Sequence, residues 1–513
     1  MSSRAFYVTT PIYYINGTPH IGHAYTTVVA DVLARTARTQ GDAFFLTGTD
    51  EHGQKVANAA AEAGVAPQAW CDRLVEHWKD LFARFEISYD DWIRTTEPRH
   101  ERVVQAVFEQ LRESGDVYRG TYEGWYCVHD ETFWLDSKLV GGKCPTCGRG
   151  VEWLAEDDWF FRLSKYNDRL LRHFKEHPQW VRPRAVYNEM LALLEEGLED
   201  FSISRAAFDW GVPVPGGGGV IYVWFDALLN YISAIGWSHD DATFRKFWPA
   251  SVQLIGKEIA RFHTIIWPAV LWALGEEAPE LVFAHGWMTT DGQKIGKSLG
   301  NASDPFAEVD RFGADSLRYF LLREAPFGSD FSYSEEKIAQ RHNSDLGNDL
   351  GNLFHRTLAM LHKYREGTVP ALRPPFDKLG IASGFGARFA DLPVRVRTSI
   401  LDLRFRDALE AIWELVTALN RTIDERKPWV LHKENRADEL DALLYDLCEG
   451  LRWLAILLAP VMPERAREMW HRLGLRGRID ANWDEALVWG GLPAQTQTVA
   501  GDALFPRVEL TPS

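Results

Sequence analysis

The sequence contains few cysteines and no long apolar segment. Five cysteines among 513 residues are too few for a disulfide framework, which is typical of a protein kept in a reducing cytoplasm. No run of about 18 uncharged apolar residues occurs, so we expect no transmembrane helix and no membrane partner. The net charge of −16 argues against indiscriminate nucleic-acid binding, although local basic patches still allow an RNA partner.

The chain begins with a pattern typical of a βαβ unit. Residues 5–9 are aromatic and β-branched and predict a short buried strand, and residues 43–46 predict a second one. Between them, Thr18 is suited to cap a helix and Pro19 to be its first residue. Because the first strand follows Met1 so closely, we expect no signal or transit peptide.

Two histidines stand at the start of this predicted helix. His20 and His23 are expected in a first turn whose N–H groups and dipole favour a phosphate. Gly22 between them has no side chain, so a flat ring such as adenine can approach the backbone closely. The alternative is a pair of surface histidines without function, and these residues alone leave it open.

An acidic residue follows the second predicted strand. Asp50 lies within residues 47–53, at the carboxyl end of that strand, where ligands of open α/β sheets bind. Its carboxylate is suited to hold an ammonium group, or else to cap the next helix. The residue type alone leaves both roles open.

A second α/β half is predicted further along the chain. Residues 220–224, 252–255 and 281–286 each predict a buried strand. A glycine-rich loop then carries Lys294 and Lys297, two cations that are suited to neutralise a polyphosphate chain. A solvated basic loop is the alternative for this lysine pair.

Between the two halves, three cysteines have the spacing of a metal knuckle. Cys144 and Cys147 lie in a Cys-Pro-x-Cys-Gly turn, and Cys127 precedes them. The fourth ligand of a tetrahedral zinc site would be His129 or Asp130, and we expect Asp130. The alternative is a turn held by the packing of nearby tryptophans, without metal.

From about residue 334 the pattern becomes helical. Two apolar stripes predict packed helices, namely Leu409, Ile412, Trp413, Val416 and Leu419, then Leu444, Leu447, Cys448, Leu451, Ala455 and Leu458. Several arginines surround the stripes: Arg395, Arg397, Arg404, Arg406, Arg465, Arg467, Arg472, Arg476 and Arg478. Most arginines are simply solvated, but an RNA-facing bundle would need some of them.

Residues 20–23, His-Ile-Gly-His, resemble letter for letter the first signature of class I aminoacyl-tRNA synthetases. The glycine-rich loop is similar to the second signature of that family, with Lys294, Lys297 and Ser298 in place. It departs at 295–296, where Ile-Gly stands instead of the usual Met-Ser, and this departure affects the expected contacts of the loop more than its role.

Other motifs resemble the methionine-specific members of this family. They are the lead-in at 7–14, the segments 47–53 and 222–227, the cysteine turn, and Lys-Pro-Trp at 427–429. Members specific for isoleucine, valine or leucine carry a large editing insert. The stretch 119–215 is too short for that insert.

The resemblance implies an α/β fold in which a Rossmann-like parallel-sheet catalytic domain holds an inserted knuckle domain and precedes an α-helical bundle. The implied segments are 1–118 and 216–285 for the two catalytic halves, 119–215 for the connective insertion with the metal knuckle, 286–345 for a linker domain with the lysine loop, and 346–513 for the anticodon-binding bundle. Because the chain stops soon after the bundle, we expect no C-terminal dimerisation module and therefore a monomer.

The resemblance also assigns roles to individual residues. The implied catalytic residues are His20, His23, Lys294 and Lys297, and the implied ATP-binding residues are His20, Gly22, His23, Gly256, Glu258, Lys294, Lys297 and Ser298. The implied methionine-binding residues are Ile12, Tyr14, Asp50, Arg205, Trp224, Ala227, Tyr231, Ile259 and His263, with Arg205 next to Asp50. The implied anticodon readers are Asn352, Arg356, Pro428 and Trp429. The chain departs from the family at Leu228, often proline, and at Glu258, often aspartate.

The implied reaction has two steps and three substrates. Methionine is activated by ATP, with Mg²⁺ bridging the phosphates, and is then transferred to the 3′ end of tRNA(Met), initiator tRNA included. The implied structural cofactor is one Zn²⁺ held by Cys127, Asp130, Cys144 and Cys147. The expected location is the cytoplasm.

Two rival functions are weaker. Other nucleotidyl transferases with a similar histidine motif are short chains without a helical RNA-binding bundle. A synthetase-derived protein that binds RNA without catalysis is supported only by residues 295–296, and the intact histidines and lysines argue against it.

Overall fold

The computed structural model describes residues 5–128, 132–134, 136–206, 208–290, 293–295, 303–371 and 384–509. The chain forms two units. The first consists of Met1–Pro19, Ala43–Asp80 and Tyr89–His285, and the second of His20–Asp42, Leu81–Ser88 and Gly286–Ser513. Among the described helices, none is both long enough and apolar enough to cross a membrane.

The strands of the described residues are mostly short. They are β1 (Phe6–Thr9), β2 (Tyr13–Tyr14), β3 (Ala43–Asp50), β4 (Asp91–Arg94), β5 (Val117–Cys127), β6 (Thr132–Trp134), β7 (Glu152–Phe161), β8 (Val181–Arg182), β9 (Phe201–Ser202), β10 (Ser204–Arg205), β11 (Val220–Ile221), β12 (Val252–Gly256), β13 (Val282–His285), β14 (Met288–Thr290), β15 (Gln293–Lys294) and β16 (Phe331–Ser332).

The helices are distributed over both units. They are α1 (Ile21–Arg38), α2 (Gln54–Glu62), α3 (Pro67–Arg84), α4 (Pro98–Glu113), α5 (Asn167–Glu176), α6 (Arg184–Glu196), α7 (Val223–Leu228), α8 (Asn230–Ser233), α9 (Asp241–Phe247), α10 (Trp267–Ala273), α11 (Pro305–Phe312), α12 (Ala314–Arg323), α13 (Glu335–Arg341), α14 (Asn352–Arg365), α15 (Gly384–Arg388), α16 (Leu392–Leu401), α17 (Phe405–Arg426), α18 (Pro428–Lys433), α19 (Ala437–Leu458), α20 (Pro463–Arg472) and α21 (Trp483–Ala486). Two π-helical segments, Phe262–Ile266 and His342–Gly351, precede α10 and α14.

A parallel sheet forms the centre of the first unit. Its strands lie in the order β2, β3, β1, β12, β13, β8, and β4 pairs with β3. Val8 of β1 pairs with Phe45 of β3 on one side and with Val252 of β12 on the other. All of these pairs are parallel. The predicted α/β fold with a parallel sheet is therefore confirmed.

The strand β1 occupies the point at which the order of the sheet reverses. The chain passes from β1 to β3 on one side, whereas β12 lies on the other side. Open α/β sheets bind ligands in the crevice outside the carboxyl ends of such strands. Tyr7 of β1 is fully buried, and its hydroxyl donates to the carbonyl of Tyr231 (2.7 Å). This bond holds α8 against β1.

One predicted strand is wrong in most of its length. The strand expected at 220–224 is limited to β11, and α7 begins at Val223. The helix α7 buries nearly all of its residues, so its sequence is apolar without a helical stripe. A short apolar run of this kind cannot be assigned to a strand or a buried helix by its periodicity. The strands predicted at 5–9, 43–46, 252–255 and 281–286 are confirmed, with β3 extending to Asp50.

The cysteine-containing segment belongs to an antiparallel sheet. Its strand order is β6, β5, β7, β9. Trp125 of β5 pairs with Trp134 of β6 and with Trp153 of β7, so three indoles lie at one level across three strands. The rings of Trp125 and Trp153 meet edge to face at 5.3 Å. Cross-strand aromatic pairs of this kind stabilise a small sheet.

Helices make up most of the second unit, as the two apolar stripes predict. On α17 the residues Leu409, Ile412, Val416 and Leu419 are buried, and on α19 the whole second stripe is buried. Both stripes are thus ordinary core, and the predicted helical C-terminal region is confirmed.

A buried arginine joins three parts of the second unit. Arg318 on α12 is fully buried and donates to Asp31 Oδ2 on α1 at 2.6 Å. Its other N–H groups donate to the carbonyls of Phe85 (3.0 Å), Pro460 (2.7 Å) and Val461 (2.7 Å). All three nitrogens of the guanidinium are therefore satisfied, as a buried charge requires.

The partner carboxylate is equally well satisfied. Asp31 also accepts from Arg35 Nε (2.7 Å) and from the N–H and hydroxyl of Ser88 (2.7 and 2.6 Å). Burial alone would raise the pKa of Asp31, but Arg318, Arg35 and Ser88 hold that pKa below its usual value. The carboxylate is thus charged in the folded protein.

Replacing Asp31 by Ala should destabilise the protein strongly, because it leaves the Arg318 guanidinium buried without its countercharge. Removing one partner of a buried pair costs about 3–5 kcal/mol of unfolding free energy, measured by denaturant titration. The control Arg421→Ala breaks an exposed pair with Glu425 and should cost about 0.3–0.5 kcal/mol. Equal losses in the two variants would contradict this prediction.

Candidate active site and metal centre

The helix α1 begins later than predicted. Its first residue is Ile21 and its N-cap is His20, whose backbone is extended, so the prediction of Thr18 as cap and Pro19 as first residue is wrong. The segment before the helix is held by two indole N–H groups. Trp70 donates to the carbonyl of Ile15 (2.9 Å) and Trp78 to the carbonyl of Gly17 (3.2 Å). Because these bonds engage the preceding backbone outside a helix, the turn starts only after His20.

The two histidines cap this helix reciprocally. His20 Nδ1 accepts from the N–H of Gly22 (3.1 Å), and His23 Nδ1 accepts from the N–H of His20 (3.1 Å). This is the arrangement of a capping box, with imidazoles in the usual places of a hydroxyl and a carboxylate. The rings lie 3.7 Å apart, tilted by 32°.

The capping bonds determine the tautomers of both rings. A ring nitrogen that accepts a hydrogen bond carries no hydrogen, so each neutral imidazole has its hydrogen on Nε2. Each Nε2–H group is a donor at the N-terminus of α1, where the helix dipole favours negative charge. This arrangement suits a phosphate oxygen.

The position of the His20 ring requires glycine at residue 22. A Cβ atom at this position would lie 2.9 Å from His20 Cε1 and 3.0 Å from Nδ1. Any larger residue would push the imidazole away from the N–H that it caps. The sequence suggests close approach of a ligand as the reason for glycine here, and the structure adds this contact within the chain.

A cavity in the first unit lies outside the carboxyl ends of β1, β3 and β12. Its walls are Pro11, Ile12, Tyr14, Asp50, Trp224, Ala227, Leu228, Asn230, Tyr231, Ile259 and His263. Asp50 is the last residue of β3 and is buried. The structure thus brings together eight of the nine residues that the resemblance assigns to methionine, and Leu228, where the chain departs from the family, is also in the wall.

Aromatic side chains form one wall of this cavity, which we call the Asp50 cavity. The Trp224 ring stacks on Phe262 with centroids 4.1 Å apart and an interplanar angle of 10°. Tyr14 meets Trp224 edge-on at 6.0 Å. Stacking of this kind holds the indole in one orientation. Phe262 is not among the predicted site residues, because no motif includes it.

One buried polar group of the Asp50 cavity is a neutral histidine. His263 lies in the π-helical segment Phe262–Ile266, and its Nδ1 contacts the Ile259 carbonyl at 3.0 Å. The carbonyl can only accept, so Nδ1 carries the hydrogen and Nε2 accepts from the Tyr231 hydroxyl at 2.7 Å. Burial lowers the pKa of His263 to about 4. The ring therefore offers no charge to a ligand at neutral pH.

A buried network behind the cavity was not predicted. Asp226 on α7 accepts from His52 Nδ1 through Oδ2 and from His100 Nε2 through Oδ1, each at 2.7 Å. His100 Nδ1 in turn lies 2.8 Å from the hydroxyl of Ser233. Burial by itself would raise the pKa of Asp226, but the two histidines hold that pKa below its usual value. The network fixes α7, which carries Trp224 and Ala227 into the cavity.

Arg205 is placed differently from the other predicted methionine residues. It is buried in β10, where it donates to Ser202 Oγ (2.9 Å) and lies 3.8 Å from Asp158. Its guanidinium stacks over the Tyr222 ring at 4.0 Å. It lines a neighbouring cavity together with Tyr222 and is not among the residues that line the Asp50 cavity.

Two further predicted nucleotide residues lie at the end of β12 and directly after it. Gly256 is the last residue of that strand, and Glu258 lies in the 3₁₀ turn after it. A Cβ atom on Gly256 would come within 2.7 Å of Glu258 Oε2, so the glycine allows the Glu258 carboxylate to fold back over the strand end.

The lysine loop lies largely outside the described residues. Lys294 is the last residue of β15, which pairs with β14 in an antiparallel hairpin. Ile295 is buried and its N–H donates to the carbonyl of Met288 at 2.9 Å. The apolar position after Lys294 is therefore part of the core. Lys297 and Ser298 lie outside the described residues.

Three of the predicted metal ligands come together. The sulfur atoms of Cys127, Cys144 and Cys147 lie within 4.8 Å of one another, and those of Cys127 and Cys147 are 3.5 Å apart. Zinc–sulfur bonds of about 2.3 Å in a tetrahedron place sulfurs roughly 3.8 Å apart. The three thiols thus fit a zinc ion. His129 and Asp130, the candidates for the fourth ligand, lie outside the described residues.

Three of the four predicted anticodon residues, Asn352, Arg356 and Trp429, are at least partly exposed on the second unit, whereas Pro428 is buried. Asn352 and Arg356 are one turn apart on α14, as predicted, and Arg356 pairs with Asp424 of α17 at 2.8 Å. Lys427 has a left-handed backbone (φ 48°) between α17 and α18, and Pro428 is the first residue of α18. Trp429 is 47% exposed, so it is not an ordinary core residue.

The predicted arginine groups are mostly engaged in ion pairs. Pairs with carboxylates involve Arg395, Arg397, Arg404, Arg406, Arg465, Arg467, Arg472 and Arg478. Arg472 is buried, so it serves the fold. Exposed pairs contribute little to stability and exchange readily with another anion.

The stability of the first unit should depend on pH through His263. Its pKa falls from 6.5 to about 4 on burial, so only the unfolded chain binds a proton between these values. Stability therefore decreases as the pH falls from about 6.5 towards 4, by about 1.4 kcal/mol per pH unit for one proton.

In a series of denaturant titrations from pH 6.5 to 4.5, His263→Gln should make the unfolding free energy less dependent on pH. The reduction should be up to about 1.4 kcal/mol per pH unit, the contribution of one proton. The control His355→Gln, at an exposed position of α14, should leave the slope unchanged. An identical slope in wild type and His263→Gln would show that His263 is protonated in the folded protein.

Comparisons with known proteins agree with this geometry. In sequence, the chain is 49% identical over 511 residues to the methionine–tRNA ligase of Caldanaerobacter subterraneus subsp. tengcongensis, covering 99% of this chain and 79% of that protein. It is 47% identical over 510 residues to the methionine–tRNA ligase of Thermotoga maritima, covering 98% and 80%.

Solved structures give the same result. Mycobacterium tuberculosis methionyl-tRNA synthetase in complex with methionyl-adenylate matches with a TM-score of 0.91 and 42% identity, covering 98% of this chain and 100% of that one. The family model for class I tRNA synthetases (M) matches residues 6–153 and 148–358. The chain therefore belongs to the class I tRNA synthetases, in the methionine group of that family.

Proposed function

We propose that this protein is a methionine–tRNA ligase, which activates methionine with ATP and transfers it to the 3′ end of tRNA(Met), including initiator tRNA. The observation that carries this proposal is the Asp50 cavity at the carboxyl ends of β1, β3 and β12. The relatives named above, including one solved with methionyl-adenylate, support it.

The Asp50 cavity has the chemistry that methionine requires. The buried carboxylate of Asp50 is suited to the ammonium group of an amino acid. Trp224, Ile12 and Tyr231 supply the apolar and aromatic walls that suit an unbranched, polarizable thioether. Since His263 is neutral and both its ring nitrogens are bound within the protein, this histidine offers no charge to the side chain of the amino acid.

In the first step the methionine carboxylate attacks the α-phosphorus of ATP in line, and pyrophosphate leaves. No protein nucleophile is needed, so positioning and stabilisation of charge supply the catalysis. His20 and His23 donate from Nε2 to phosphate oxygens, and Lys294 and Lys297 neutralise the leaving pyrophosphate. Gly22, Gly256, Glu258 and Ser298 complete the ATP site, and Mg²⁺ accompanies ATP as its counterion. In the second step the terminal ribose hydroxyl of tRNA attacks the activated carbonyl, an ester bond to the ribose forms as the acyl–phosphate bond breaks, and AMP and the hydroxyl proton leave.

The chain should catalyse methionine-dependent exchange between ATP and pyrophosphate. His23→Ala and Lys297→Ala each remove a donor that stabilises the developing charge, which raises the barrier by about 2.7–4 kcal/mol. The control His355→Ala, at an exposed position of α14, should exchange at the wild-type rate. Full activity in both active-site variants would exclude these residues from the mechanism.

The three cysteines, together with Asp130, are proposed to hold one structural zinc ion per chain. Elemental analysis of the purified protein should find zinc, and Cys144→Ser should remove it because the thiolate is lost. Cys448→Ser is the matched control, since Cys448 is buried in α19, apart from this cluster. Zinc absent from wild-type protein refolded with the metal would contradict the site.

Asn352, Arg356, Pro428 and Trp429 are proposed to read the anticodon. An exposed indole is suited to stack on an unpaired base, and an amide and a guanidinium to read base edges. Trp429→Ala should weaken aminoacylation of tRNA with a CAU anticodon by roughly one to two orders of magnitude, since stacking contributes about 1–3 kcal/mol per base.

The same variant should retain pyrophosphate exchange and melting temperature, because Trp429 is half exposed. Val394→Ala, at an equally exposed apolar position, should charge tRNA normally. Loss of exchange and of thermal stability together with charging would overturn the anticodon assignment.

Three further expectations complete the proposal. The two catalytic halves are proposed to be 1–118 and 216–285, and the connective insertion 119–215. The linker is proposed to be 286–345 and the bundle 346–513. Arg205 remains a proposed methionine-binding residue, although it lines the neighbouring cavity in this structure. The protein is proposed to be a cytoplasmic monomer.

A further inference from the structure

The second unit contains a cavity that none of the proposed roles uses. It has a volume of about 330 Å³, within the range of small-molecule sites. Four arginines line it, Arg35 and Arg38 from the last turns of α1, Arg467 from α20, and Arg478. The carboxylate among its lining residues is Asp480. We call it the arginine cavity.

The four guanidinium groups differ in how firmly they are held. Arg35 is bound to buried Asp31, so it belongs to the fold. Arg38 donates to the hydroxyl and carbonyl oxygens of Ser88, at 2.7 and 2.9 Å. The pairs of Arg467 with Glu86 and of Arg478 with Asp480 are solvent-exposed, and such pairs exchange at little cost.

A further donor lies in the cavity wall. Trp470 Nε1 is a buried N–H group without a hydrogen-bond partner among the described residues. This N–H can donate to an oxygen atom of a group bound in the cavity. Four guanidinium groups and the Trp470 N–H thus lie around one cavity, and two of the guanidinium groups, those of Arg467 and Arg478, hold their carboxylate partners only in exposed pairs.

We propose that the arginine cavity binds a phosphate group. Guanidinium groups bind phosphate oxygens through paired N–H bonds, and an anion satisfies these donors. The phosphate belongs either to a free phosphorylated compound or to the backbone of an RNA. The proposal does not rest on the proposed function, since it uses residues that have no role in methionine activation, metal binding or anticodon reading.

Binding of inorganic phosphate, followed by ³¹P NMR or calorimetry, tests the proposal directly. Arg38→Gln and Arg478→Gln should each weaken phosphate binding about tenfold or more, because each removes a charge-assisted hydrogen bond. Arg421→Gln, on an exposed face of α17, is the matched control and should bind as wild type does. Arg478 is 82% exposed, so its variant folds even if the Arg38 variant does not.

The salt dependence of tRNA binding distinguishes the two sources of the phosphate. If the cavity holds an RNA phosphate, the slope of log K against log salt concentration falls by about one in Arg478→Gln. An unchanged slope, together with weakened binding of inorganic phosphate, assigns the cavity to a free phosphorylated compound. Equal phosphate binding in wild type, both cavity variants and the control overturns the proposal, whatever the activity of these proteins in pyrophosphate exchange.

Discussion

The ion pair between Arg318 and Asp31 is the interaction on which the arrangement of the second unit depends. Both groups are fully buried, and a buried charge without its partner costs several kcal/mol. Since Arg318 also donates to the carbonyls of Phe85, Pro460 and Val461, these segments must all be in place before either charge is satisfied. The pair therefore specifies the position of α1 much more than it adds net stability. The consequence for function is that the histidine helix is anchored at its middle, about 12 Å along the axis from its first turn at a rise of 1.5 Å per residue.

At the other end of α1, structure and chemistry use the same atoms. The Nδ1 atoms of His20 and His23 close the helix, and for that reason their Nε2 atoms carry the hydrogens. A serine and glutamate pair would also form a capping box, but its glutamate would place a negative carboxylate at the N-terminus where His23 places an N–H donor. The choice of histidine at both positions thus follows from the need for a cap that also donates.

Much of the fold could be predicted from the sequence, because its strands are short apolar runs bounded by turn residues. The carboxyl-end position of Asp50 follows from that pattern, and the walls of its cavity follow from the resemblance to a known family. The helix start at His20 could not be predicted, since it depends on indoles more than 50 residues away along the chain. The network of His52, His100 and Asp226 is likewise built by sheet topology from distant segments. The helix α7 was missed because a fully buried helix has no polar face from which its period can be recognised.

The π-helical segment Phe262–Ile266 gives the Asp50 cavity a property that does not depend on any single side chain. A π turn holds one more residue than the α turn that it replaces, and such turns occur often at functional sites. Residues before and after it are therefore out of phase with a continuous α-helix by about 100°. Loss of one residue here would restore regular geometry and rotate His263 and Phe262 relative to α10, removing both from their present contacts. The Asp50 cavity is thus constrained by the length of this segment as well as by its side chains, since a single deletion would displace both rings.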